Sequence, residues 1–132
     1  MTARYTEPPS LADIEEMARE ALKTIPGELL RHTHDVVIRV DEFPDERTEK
    51  EMGLETPFDL LGLYRGVPIG DKGTGYTAHD VDMIFLYRRP LLDYWCETEE
   101  DLVGLIRHVM IHEIGHHFGL SDEDMERIEA EA

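Results

Sequence analysis

The residues of this 132-residue chain best spaced for chemistry lie in the run His112-Glu113-Ile114-Gly115-His116-His117-Phe118-Gly119-Leu120-Ser121-Asp122. On a helix, His112 and His116 fall one turn apart on one face, with Cβ atoms about 5–6 Å apart. That separation lets two imidazoles meet one ion through zinc–nitrogen bonds of about 2.0–2.1 Å. Glu113 projects about 100° further round, so its carboxylate stays free to act as a base on water beside the ion. Gly119 stands where the end of such a helix needs a left-handed residue, and the reversal it permits delivers Asp122 towards the histidines. The expected centre is one Zn2+ per chain on His112, His116 and Asp122, with a fourth position open to water and Glu113 as the catalytic residue.

Other titratable residues fit that role less well. His117 lies about 140° round from His112 and reads as a packing residue. His108 is one turn before His112, but three histidines in a line along one helix cannot surround one ion well, so it is expected to line a cleft or meet substrate. The pair His32 and His34 falls at a helix-to-strand junction, where solvated or capping side chains are expected. Gly66 to Gly75 is glycine-rich, yet Lys72 is followed by glycine instead of Ser or Thr and no helix opens behind it. A flap or hairpin is expected there, not a phosphate loop. His79-Asp80 beyond it reads as a surface turn.

Several elements must position the central run. Ser10 with Asp13 starts an amphipathic helix whose apolar face is Leu11, Ile14, Met17, Ala18, Ala21, Leu22 and Ile25. Pro26-Gly27 ends it, with a further turn through Glu28-Leu29-Leu30. Asp35 to Val40 alternates as a strand, and Asp45 to Met52 forms a short helix stopped by Gly53. Leu60 to Arg65 is a second strand in which Gly62 marks a bulge or close backbone approach. Val81 to Tyr87, apolar on both faces, is the third; Pro90 bars its continuation, and Leu91 to Cys96 forms a short helix or turn. Thr98-Glu99-Glu100-Asp101 reads as a capping box opening the long helix. That helix is apolar nearly all round from Leu102 to Ile114, as a buried central helix must be. Ser121 with Asp124 starts a last helix towards Glu129. The fold class is α+β, a small mixed sheet packed on an N-terminal helix and a buried C-terminal helix. One domain over residues 1–132 is expected, with 1–9 poorly ordered.

Composition narrows the function classes. A hydrophobic share of 41% fits a folded core, and 132 residues suffice for one such core. The net charge of −17, from 30 acidic and 13 basic residues, argues against nucleic-acid and anionic-membrane partners. The lone cysteine, Cys96, excludes an intramolecular disulfide and points to a reducing, cytoplasmic setting; it is expected to be a small buried residue. No signal-length or membrane-length apolar run occurs.

The run His112 to Asp122 resembles the extended zincin signature His-Glu-x-x-His-x-x-Gly-x-x-Asp. Together with Leu60-Leu-Gly-Leu-Tyr-Arg-Gly-Val-Pro68 and Ile84-Phe-Leu-Tyr-Arg-Arg-Pro90, it is similar to the small bacterial single-domain zincin-like metallopeptidases. The resemblance implies a minimal zincin-like fold and zinc-dependent hydrolysis of peptide bonds by an activated water, with Glu113 as general base. Zincins with a glutamate as third ligand place it further downstream than this chain allows, which leaves Glu126 and Glu129 as secondary alternatives to Asp122. The long-motif zincins' downstream methionine turn has no room here, and Met125 lies too close to replace it. A peptide is expected to add to the edge of strand Met83–Tyr87, and His108, His79 and Tyr76 are the oxyanion candidates. The alternatives are a non-proteolytic zinc-binding scaffold or regulatory protein, and a zinc hydrolase of a non-peptide substrate.

Overall fold

The most apolar strand of the chain lies in the middle of the sheet. The computed structural model describes residues 7–31, 36–68 and 80–130. In it β1 (Val36–Asp41), β2 (Gly62–Pro68) and β3 (Asp80–Tyr87) are ordered β1-β3-β2. β3 runs parallel to β1, with Ile38 opposite Ile84, and antiparallel to β2, with Tyr64 opposite Ile84. A strand flanked on both sides carries apolar residues on its covered face: Ile84 and Leu86 are fully buried, with Asp82 a buried carboxylate on that same face. This position corrects one expectation: both edges of Met83–Tyr87 are hydrogen-bonded to neighbouring strands, so no peptide can add to β3. Among the described residues, the sheet edges are β1 and β2.

Six helices surround the sheet among the described residues: α1 (Leu11–Thr24), α2 (Gly27–Leu30), α3 (Glu46–Met52), α4 (Arg88–Glu97), α5 (Leu102–His117) and α6 (Asp122–Ala130). The result is the expected α+β architecture. α1 opens on the capping box of Ser10 and Asp13 and packs its Ile14, Ala18 and Ala21 against α5 and β1. α3 begins at Asp45, whose carboxylate accepts from Thr48 N at 2.7 Å, and stops at Gly53 with φ +64°. Pro9, just ahead of α1, is buried, and its carbonyl accepts from Arg88 Nε at 2.6 Å, so the chain is pinned from that residue on.

Two further expectations are corrected. α5 is capped by Asp101, whose carboxylate accepts from Gly104 N at 3.0 Å; Thr98 instead ends α4, where its N–H donates to Tyr94 and Trp95 carbonyls. A carboxylate makes the stronger cap, and it sits next to the first buried residue, Leu102. Cys96 is exposed, not buried. On α4 the inward residues are Leu91 and, one turn on, the partly buried Trp95. Cys96 is the next step round, about 100° away and facing solvent. His32, His34 and the connection 69–79, with Tyr76 and His79, lie outside the described residues.

Candidate metal centre

α5 is the buried helix its composition demands. Leu102, Leu105, Ile106, Val109, Met110, Ile111, Ile114 and Gly115 are all buried, and the polar residues share what is left of the circumference. Strand β2 lies against it. A Cβ added at Gly62 would stand 2.8 Å from Val109 Cγ1 and 3.0 Å from the Phe85 carbonyl, so glycine is what allows the approach. Two residues on, the backbone of Tyr64 lies beside the carboxylate of Glu113. Burial raises the Glu113 carboxyl above the ordinary carboxylate range; the neighbouring His116 and the Tyr64 backbone pull it back only in part. A carboxyl tuned upward is the form a general base needs near neutral pH. Tyr64 itself is buried, its hydroxyl pushed upward by burial and by the nearby Asp82 carboxylate.

His112 and His116 occupy successive turns, their rings 5.9 Å apart between centroids. His112 is partly buried, and burial, followed by the neighbouring His108, depresses its pKa, so the imidazole is neutral at pH 7. His116 is exposed, and its Nε2 lies 3.8 Å from Asp122 Oδ1. The structure therefore brings His116 and Asp122 together. His112 faces a different carboxylate: its Nε2 is 3.5 Å from Glu129 Oε1, and His108 Nδ1 is 2.9 Å from the same oxygen. His117, as expected, turns away; its ring packs 4.4 Å from Tyr64.

The return of the chain after α5 is built in the backbone. Gly119 has φ +75°, its N–H donates to the His116 carbonyl, and Leu120 N donates to the Gly115 carbonyl at 2.9 Å. Those two bonds make a Schellman turn. They satisfy carbonyls at the end of the histidine-bearing helix and aim α6 back along it. α6 then buries Met125 and Ile128, and Met125 packs directly on Gly115, between the two histidines in sequence. Arg107 ties the far end: Nε donates to Thr24 Oγ1 at 2.9 Å and Nη1 to the Glu129 carbonyl at 3.1 Å. Arg127 on α6 is paired with both oxygens of Glu28 on α2.

These groups suit zinc. His112 Nε2 is buried and makes no hydrogen bond, although an imidazole nitrogen sealed from water ordinarily has a partner. The imidazoles and carboxylates around it are the nitrogen and oxygen donors that zinc takes. Of the expected ligands His112, His116 and Asp122, the structure pairs His116 with Asp122, while His112 Nε2 lies against Glu129 instead. Sequence reasoning placed Asp122 beside His116 but ranked Glu129 second and passed over Arg107 and the Tyr64 backbone. The available signals were the lone arginine of α5 and the inward Met125–Ile128 spacing that fixes where Glu129 points.

Comparison with known proteins agrees with the fold. The family model described as zincin-like metallopeptidase matches residues 33–132. The chain belongs to the zincin-like metallopeptidase family, and membership implies zinc binding. Among solved structures it is similar to a conserved hypothetical protein from Thermus thermophilus, with a TM-score of 0.52 and 21% identity. The match covers 83% of this chain and 94% of that one. At that identity the likeness is one of fold. No curated protein matches the chain. No helix among the described residues is long and apolar enough to cross a membrane.

Proposed function

We propose that the protein is a zinc-dependent peptidase in which His112, His116 and Asp122 hold one Zn2+ and Glu113 is the general base. The observation that carries this reading is Glu113 itself, a partly buried carboxylate with a raised pKa on the helix turn between His112 and His116. A zinc ion held there supplies Lewis acidity towards a carbonyl oxygen and makes water acidic enough to react at neutral pH. Glu113 accepts the proton of the attacking water and passes it to the departing amine. With β3 closed on both sides, β2 is the edge strand beside the base, and an extended peptide would add there. The charge of −17 speaks against nucleic acid as substrate or partner.

The test is a screen of peptides, esters and simple amides at matched, full zinc occupancy. Peptide cleavage that depends on zinc supports the reading. Cleavage of esters or amides without peptides would make the protein a different hydrolase, and no cleavage at full occupancy would make it a zinc-binding scaffold.

A further inference from the structure

Among the described residues, the group whose potential ligand atoms all lie within 4.8 Å of one another is His108, His112 and Glu129. It does not consist of the helix residues alone. His108 and His112 stack on successive turns of α5 with ring centroids 4.0 Å apart, and the third member arrives from α6. That removes the objection to a row of histidines on one helix, because the carboxylate stands off the line and makes the set triangular. Glu129 Oε1 is 2.9 Å from His108 Nδ1 and 3.5 Å from His112 Nε2. Two ligands of a tetrahedral zinc with bonds of about 2.0–2.1 Å stand about 3.4 Å apart. The carboxylate is held in place by its own backbone, since Arg107 grips its carbonyl and the adjacent Ile128 is buried. His112 Nε2 is a buried nitrogen that makes no hydrogen bond.

We propose that His108, His112 and Glu129 form a second seat for a zinc-class divalent ion, one turn upstream of the seat formed by His112, His116 and Asp122. Both seats use His112 Nε2, so one ion occupies them in alternation; this exclusivity, but not the upstream site itself, rests on the function proposed above. An ion upstream leaves His116 and Asp122 without metal, and the helix holds its ion in a resting position off the downstream seat.

Cobalt(II) titration followed by visible absorption, with metal content measured in parallel, tests this on the full chain. The His116→Ala/Asp122→Ala variant, altered only at exposed side chains, is expected to bind one Co2+ per chain. In that background Glu129→Gln and His108→Ala should each weaken binding by at least about tenfold, while Glu126→Gln on the exposed face of α6 leaves it unchanged. Circular dichroism confirms that each variant is folded. Absence of Co2+ binding to His116→Ala/Asp122→Ala, or residual binding indifferent to both Glu129→Gln and His108→Ala, would overturn the upstream site and leave only a His108–Glu129 ion pair. A wild-type chain that cleaves peptides while this result fails would sink the second seat alone. An inactive wild type with upstream binding intact would sink the peptidase alone.

Discussion

Met125 lies against Gly115, where an added Cβ would stand 2.7 Å from the methionine Cγ. The contact joins α6 to the turn of α5 that carries the two histidines, and Met125 is fully buried there. Gly115→Ala should therefore destabilise the fold by about 1–3 kcal/mol, the usual penalty for overfilling a packed core. Met125→Ala should relieve part of it, so the double variant should be more stable than the sum of the single effects predicts. Urea unfolding of the four proteins measures this; strictly additive effects would show that the two residues do not share the space.

Glu113 makes the metal-free protein sensitive to pH. Its folded carboxyl titrates above the ordinary value of about 4.3 for glutamate. As pH rises past that value the unfolded chain loses its proton first, the native state binds more protons, and stability falls until the folded value is passed. Below the window both states are protonated and the penalty is absent. Glu113→Gln removes the ionisation. The metal-free variant should melt with the wild type in acid and above it at pH 7. Coincident melting at pH 7 would contradict the burial argument.

Asp122 separates ligand from scaffold. Its side chain is 84% exposed and 3.8 Å from His116 Nε2. Asp122→Ala should change the stability of the metal-free protein by no more than about 0.5 kcal/mol. In a His108→Ala background, which lacks the upstream seat, the same change should weaken zinc binding by at least about tenfold. Competition with a chromophoric chelator reads the affinity, and an unaltered value would remove Asp122 from the centre.

Much of this arrangement is legible in the residues because its signals are local. The Ser10–Asp13 box, the helix between Asp45 and Gly53, and the left-handed Gly119 all act within three or four residues of themselves. Gly62 was readable as a close approach, though not what it approaches. What the sequence hides is long-range. The order of strands, which closes both edges of Met83–Tyr87, depends on pairings between segments far apart in the chain. The choice between Thr98 and Asp101 as the cap turned on where the buried face of α5 begins. Glu129 became a neighbour of His112 only through the Gly119 reversal and the burial of Met125 and Ile128 together. No single spacing announces that meeting.

The central claim is that Glu113 takes the proton in a zinc-dependent cleavage of peptide bonds. The direct measurement is turnover of a cleavable peptide by Glu113→Gln beside the wild type, with zinc content determined in the same samples. Zinc is expected to be equal in both, with a rate lower by about 10²–10⁴-fold in the variant. Equal zinc with an undiminished rate would contradict the claim.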